Sequence, residues 1–513
     1  MGKSYSIVGL LLTGVVVLAV VLYLPTTSGS DSRAPYAYWW AADSGKTLAG
    51  TSDYPNSDGS FRLINDAGEL DTTGHPFFSS LGPNGRACVT CHQPANGMSL
   101  SADTVRAVWE ATRGEDPLFA TVDGANCPHL PRGEEASHSL LLERGLIRIA
   151  VPWPPKGVTP DFTIEVVRDP TGCNTHPVYG LNGENPHISV YRRPRPVINL
   201  RHLTALPNGV APHDKFLYND KSLLPKDPET GKFVSLQLMS DGSGLTLRNQ
   251  ARDAARRHLE LTRDLTEDEL VAIVDLEERL YGAQGIDVFG NDLDAAGAPP
   301  GLGPRVLVTG PAGYLGNNAI NRVFGDFSMW GSPDAHPEGL GEEERLWRES
   351  VARGARVFFE RRFLIQDVAG LTDKGLGNPF HRSCASGCHN TTLMGMDLAP
   401  GFMDLGLNNL PWANNRPDLP LFRIVCDKDA APHSYLGREI YSHDPGRALV
   451  TGKCAHVGFT MTQQMRALSA RAPYFANGSA ATLRELVDFY DRRFNIGYTD
   501  QEKQDLINFL SVL

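Results

Sequence analysis

Residues 88–92 read Cys88-Val89-Thr90-Cys91-His92, and residues 384–389 read Cys384-Ala385-Ser386-Gly387-Cys388-His389. The first stretch has two thiols three positions apart and a histidine directly after the second. That spacing lets both sulfurs add to the vinyl groups of one haem while the adjoining imidazole swings beneath the macrocycle to take the iron. Cys88 and Cys91 are therefore candidate attachment points, and His92 a candidate iron ligand. The second stretch has three residues between its cysteines instead of two. Ala385, Ser386 and Gly387 are small, and Gly387 adopts backbone conformations closed to other residues, so the extra residue can be absorbed. A structural zinc site would ask for four neighbouring Cys or His ligands, and a thioredoxin-like dithiol needs no histidine. Cys384 and Cys388 are read as a second attachment pair and His389 as its proximal ligand, giving two covalently bound haem c groups.

Upstream, Lys3 is the only charge before an apolar run from Ile7 to Leu24. As a helix this run rises about 27 Å, just enough to cross a hydrocarbon core. No Ala-x-Ala site follows Leu24, so residues 7–24 are read as a membrane anchor, with a cleaved signal peptide as the alternative. Either reading makes residues 1–33 a targeting segment and places the rest on the periplasmic side of a bacterial inner membrane, anchored or soluble.

The chain has 513 residues, 41 % hydrophobic and 21 % charged. That can bury a sizeable core and suggests two or three domains. A net charge of -11 argues against a nucleic-acid partner and reads as solubility. Glycine (51) and proline (36) are plentiful, and long helical patterns are few. The expected fold is mainly α: two cytochrome c-like haem domains with loop-rich insertions, following the N-terminal helix. The divisions are 1–33, 34–294 with an insertion at 117–198, a linker at 295–305, and 306–513.

The remaining cysteines fall into two local pairs, Cys127 with Cys173 and Cys426 with Cys454. In an oxidising compartment each pair reads as a disulfide worth about 3 to 4 kcal/mol in the chain-entropy model. Ser101 caps a helix carrying Val105, Val108, Trp109 and Thr112 at helical spacing. Further helices are expected at 246–261, at 266–281 with a Thr266/Glu269 capping box and a close at Gly282, and at 342–360. The last two are expected at 482–493 and 499–510. The stretch from Arg192 to Pro196 ends the insertion.

Two haem motifs about 300 residues apart, the run Met239-Ser240-Asp241-Gly242, and the ending from Arg471 through Pro473, Tyr474 and Phe475 to Tyr490 resemble the bacterial di-haem cytochrome c peroxidase family, including its MauG-type enzymes. The likeness covers roughly residues 60–513. It implies that the N-terminal haem reacts with hydrogen peroxide and that the C-terminal haem passes electrons. The donor would be a small redox protein or a quinone-linked carrier. His92 and His389 would be proximal ligands. The second axial ligand of the C-terminal haem is methionine in the peroxidases and tyrosine in MauG-type enzymes, and an ungapped alignment from Pro473 places Tyr490 there, with Met461 and Met465 competing. The family's acid-base glutamate follows its Trp-Asp-Gly tryptophan by twenty residues. Counted from Ser240, which replaces that tryptophan, this is Glu260, with His258 two positions before it. Either could serve, and His258 could instead ligate iron. Ser240 removes the aromatic bridge between haems, a gap that Tyr474, Phe475 or Trp412 could fill. The family's inter-haem calcium maps to Asn199 and to backbone near Arg471 and Pro473. The alternatives are a di-haem electron carrier without turnover and a MauG-type enzyme oxidising a protein or organic substrate.

Overall fold

A computed structural model describes residues 34–513 apart from 205–225, 233, 235–237, 311–325, 333, 335, 336, 338, 390–401 and 415. The apolar run 7–24 lies outside the described residues. Among the described residues no helix is long and apolar enough to cross a membrane.

The expectation of a mainly α fold does not hold: the described residues are 31 % helical and 18 % in strand, with the strands spread over several small antiparallel sheets. One sheet pairs Thr51–Asn56 with Gly59–Asn65 and the latter with Leu280–Ile286. Phe61 and Leu63, two positions apart, point to the core and are fully buried, while Arg62 between them is buried in ion pairs with Asp53, Asp292 and Asp294. A second sheet pairs Ile147–Pro152 with His187–Arg192. A third carries Phe162–Arg168 and Glu439–Ser442 on either side of Leu421–Cys426. Its inner face buries Phe162, Ile164, Phe422, Ile424 and Ile440. On its outer face Arg423 bridges Glu165 and Glu439 at 2.9 Å each. This sheet joins a strand of the 117–198 segment to the C-terminal part of the chain.

The helices follow their caps. Ser101 accepts from the Thr104 amide and starts Ala102–Thr112, whose buried Val105, Val108 and Trp109 pack with Phe119 and Leu141 against Cys91. Thr246 caps Leu247–His258, and the Thr266/Glu269 capping box opens Glu267–Arg279. That helix stops at Arg279 rather than running on to Gly282, because Leu280–Ile286 is drawn into the first sheet. Gly282 is needed for space: a Cβ there would lie 2.6 Å from the Phe61 ring. Glu342–Glu360 packs on Asp500–Ser511, where Asp505 accepts from Ser350 at 2.6 Å and from Arg353 at 2.9 and 3.0 Å.

Two large apolar cores result. One holds Phe61, Phe77, Val89, Met98, Leu270 and Tyr281, with Cys88 against it. The other holds Val351, Phe358, Met465, Tyr474, Val487 and Phe509, with Cys384, Cys388 and Tyr490 against it. Each haem motif thus has a core of its own. Both expected disulfides, Cys127–Cys173 and Cys426–Cys454, are formed. Cys88, Cys91, Cys384 and Cys388 take no part in a disulfide.

Candidate functional site

Cys88–Cys91 is a single helical turn, fixed by the Thr90 hydroxyl accepting from the Ala87 amide at 3.0 Å. Burial pushes both thiols up to about 12, so neither is a thiolate at neutral pH. Both line a cavity of about 390 Å³ together with His92. The His92 Nδ1 donates to the Met98 carbonyl at 3.0 Å; a carbonyl can only accept, so Nε2 keeps its lone pair for a metal. Burial first, against that hydrogen bond, brings His92 down to about 4, with the His258 charge adding to the fall. The ring is therefore neutral and within electrostatic reach of His258.

His258 is the last residue of Leu247–His258 and lines the same cavity. Its Nδ1 faces one oxygen of Asp123, and the Arg86 guanidinium takes the other. Arg86 is 1 % exposed and spends its remaining donors on the carbonyls of Pro117 at 2.7 Å and Leu118 at 2.6 Å. Burial pushes the Asp123 carboxyl up, but the charge of Arg86 and the hydrogen bond and charge of His258 outweigh it and leave Asp123 below the usual range. The Asn84 amide also donates to the His258 carbonyl at 2.9 Å. A smaller cavity of about 240 Å³ adjoins this face, and it is lined by Asp123, Arg148, His187, Arg257 and His258. Glu260, by contrast, is exposed, has a left-handed backbone and does not line the cavity.

Arg192, Arg193 and Arg195 line another part of the cavity wall. Arg192 is held by Asp444 at 2.6 and 2.9 Å and by Asp241. Arg193 and Arg195 have no carboxylate partner among the described residues. They donate to carbonyls of Leu100, Arg471, Met239 and Thr462. Burial, with the Arg471 charge, brings Arg193 down to about 9 and Arg195 to about 10. Cations desolvated in this way call for an anion, and the carboxylates of a haem are of the right kind. Two free thiols, a neutral histidine and this cationic rim around one cavity fit a covalently held haem.

At the second motif, Ser383 caps the turn Cys384–Gly387 by accepting from the Ser386 amide. The amides of Cys388 and His389 both donate to the Cys384 carbonyl, at 3.2 and 2.8 Å. The extra residue is accommodated because position 387 lacks a Cβ, which would lie 2.5 Å from Ile365 Cδ1. Burial pushes Cys384 up to about 11, and Tyr498 Oη lies 3.8 Å from its sulfur. His389 faces the Phe358 ring at 5.9 Å. Tyr490, half-buried in Leu483–Phe494, packs edge-on against Phe475 and Phe489 and parallel to Phe494. Burial, then the neighbouring Cys388 and Cys384, pushes its phenol far above its ordinary value. Met465 shares this core, whereas Met461 sits in a separate cluster with Phe402 and Phe459. Ser240 is buried on the first cavity's wall, and its carbonyl accepts from the Met461 amide at 2.8 Å. Tyr474 is within electrostatic reach of Arg471 and Arg193, its neighbour Phe475 packs on Tyr490, and Trp412 packs on Arg493 and His433.

Sequence reasoning did not find Asp123, Arg86, Glu277 or the role of the arginines. Arg192-Arg193-Pro194-Arg195-Pro196 was a visible signal, since three cations in five residues beside apolar strands ask for a counter-charge.

No protein-family profile matches the chain. A curated relative, the cytochrome-c peroxidase IdrP1 of Pseudomonas sp. (strain SCT), is 38 % identical over 142 residues, covering 25 % of this chain and 35 % of the relative. The chain thus spans about a third of the length of the curated relative it matches. Among solved structures, a MauG-like protein associated with microbial copper homeostasis aligns with a TM-score of 0.25 and 15 % identity, over 53 % of this chain and 68 % of that one. Over that quarter of its length the chain is distantly similar to a cytochrome-c peroxidase.

Proposed function

We propose that the chain is an exported di-haem c-type oxidoreductase that reduces hydrogen peroxide at the haem carried by Cys88 and Cys91, with electrons arriving through the haem carried by Cys384 and Cys388. The observation that carries this reading is the Asp123–His258 pair on the wall of the cavity that His92 also lines. Export is supported by the two disulfides, which persist in oxidising compartments.

His92 would hold the iron through Nε2 and Arg193 and Arg195 would meet the carboxylates. When bound, the haem supplies the metal at which the peroxide oxygen–oxygen bond is broken. Asp123, fixed by Arg86, accepts from the Nδ1 proton of His258 and leaves Nε2 to take a proton from one peroxide oxygen and return it to the other. Two electrons from a redox-protein or quinone-linked donor and two protons then complete the conversion to two waters. We assign the acid-base role to His258 rather than Glu260 because Glu260 is exposed. The small polar cavity lined by Arg148 and His187 is the proposed way in for peroxide.

Tyr490 would be the second residue to hold the iron of the C-terminal haem, since it packs on the same apolar core as Cys384 and Cys388. A phenolate is a hard anionic donor that favours ferric iron, whereas methionine raises the potential. This favours the MauG-type version of the chemistry, in which oxidising equivalents are stored and reach a protein or organic substrate. Tyr474 and Phe475 are the aromatic route proposed in place of the residue lost at Ser240.

Electron paramagnetic resonance of the oxidised protein tests the reading. One high-spin and one low-spin haem are expected. Two low-spin signals would mean that His258 ligates iron and that the chain is an electron carrier.

A further inference from the structure

The resemblance places a calcium ion between the haems, on the Asn199 side chain and on backbone oxygens near Arg471 and Pro473. In this chain those oxygens are already taken by nitrogen donors. Asn199 Oδ1 accepts from the Gly282 amide at 3.0 Å, and its Nδ2 donates to the Gly282 carbonyl at 2.9 Å and to Gln464 Oε1 at 3.0 Å. The side-chain amide is thus spent in tying the strand Leu280–Ile286 to the loop at 464. The Arg471 carbonyl accepts from Arg193 Nη1 at 2.7 Å, and the Ala472 carbonyl accepts from the Ala102 amide at 3.2 Å.

The Arg471 guanidinium itself lies among the oxygens of this loop. It donates to the Gln464 carbonyl at 2.6 Å, the Arg466 carbonyl at 3.3 Å and Gln463 Oε1 at 3.4 Å. Such carbonyl and amide oxygens are what calcium collects, in sets of six to eight. Arg471 is 4 % exposed and Arg193 6 % exposed, and neither is ion-paired to a carboxylate among the described residues. Burial lowers the pKa of both, and for Arg193 the Arg471 charge lowers it further. A divalent ion added here would face the buried Arg471 guanidinium and find its oxygens occupied.

We propose that Arg471, backed by Arg193, replaces the inter-haem calcium with a cation that is part of the chain. Two positions of this chain carry the replacement: the arginine at 471, and the arginine at 193 that donates to its carbonyl. The consequence is a centre whose assembly does not depend on a diffusible metal. The proposal rests on the di-haem reading for the location of the site. The test therefore reads metal content separately from haem content.

The experiment uses the full chain with its haems counted by pyridine haemochrome absorbance. After treatment with a calcium chelator and desalting, elemental analysis is expected to find substoichiometric calcium. A millimolar calcium titration is expected to leave the melting temperature and the haem absorption spectrum unchanged, where one saturated site would raise the melting temperature by a few degrees. Stoichiometric calcium, or a response to added calcium, would overturn the proposal. Arg471→Ala is expected to lower the melting temperature and to regain part of the loss on adding guanidinium at low concentration or calcium; Arg471→Lys, which keeps a charge, is expected to remain calcium-insensitive. A folded Arg471→Ala protein as stable as its parent would also overturn it. If Arg471→Ala does not fold, the measurements on the parent chain decide the matter. One haem instead of two would count against the di-haem reading and would leave the calcium analysis interpretable.

Discussion

Asp123 gives one carboxylate oxygen to the His258 ring and the other to the Arg86 guanidinium, so one buried anion sets the orientation of a cavity-lining imidazole. Asp123→Asn keeps the shape and removes the charge. Peroxide turnover is expected to fall about 10²-fold, and His258→Ala to fall by up to about 10⁴-fold, the range open to general acid-base catalysis. Haem content should be unchanged in both, and Glu260→Gln should turn over like the parent. Stopped-flow assays with a reduced donor make the measurement, and parental turnover in Asp123→Asn would remove the assignment.

Glu277 lines the first cavity at 4 % exposure, with Oε2 lacking a hydrogen-bond partner. Burial foremost, then the Glu278 charge, pushes its carboxyl up to about 8 from an ordinary 4.5. Between those values the native chain keeps a proton that the unfolded chain has released. Stability therefore falls as pH rises across the window, with a loss on the order of 3 kcal/mol at pH 7. Glu277→Gln is expected to melt higher than the parent above neutrality and like the parent near pH 4. A difference that does not vary with pH would refute the explanation.

Arg192 joins Asp241 of the Met239–Gly242 run to Asp444, and all three side chains are buried. Removing one partner leaves a desolvated charge, which costs about 3 to 5 kcal/mol. Asp444→Ala should show that loss in denaturant unfolding, while Glu165→Ala, whose partner Arg423 is on the surface, should leave the unfolding midpoint close to the parent's.

Tyr490→Phe removes the phenol and keeps the ring against Phe475, Phe489 and Phe494. The low-spin resonance and the potential of the C-terminal haem are expected to change, with folding intact. An unaltered spectrum would transfer the assignment to Met465.

The parts legible in the sequence were those with local causes. Caps at Ser101, Thr246, Thr266 and Thr499 place helix starts because the capping bond spans three residues. The disulfide pairs were legible because the cysteines left over from the two Cys-His motifs had near partners in the sequence. The pairing of the strands was not, because Gly59–Asn65 pairs with residues 280–286 and Phe162–Arg168 with 421–426, and a short strand carries little local trace of a distant partner. The site divides along the same line. His92 and His258 were named because a motif or a count fixed them. Asp123 was missed because it reaches His258 across the fold from the segment read as an insertion. That segment also contributes Arg148, Arg192, Arg193 and Arg195 to the cavity walls.

The sheet that unites Phe162–Arg168 with Leu421–Cys426 also sets an order of events for a chain that leaves its ribosome from one end. The earlier strand exists for about 250 residues of synthesis before its partner is made. Through that interval its backbone donors and acceptors are an open edge of the kind that captures other chains. Completion of this sheet is thus a late step, and crowding or heat during synthesis should divert the chain at this strand.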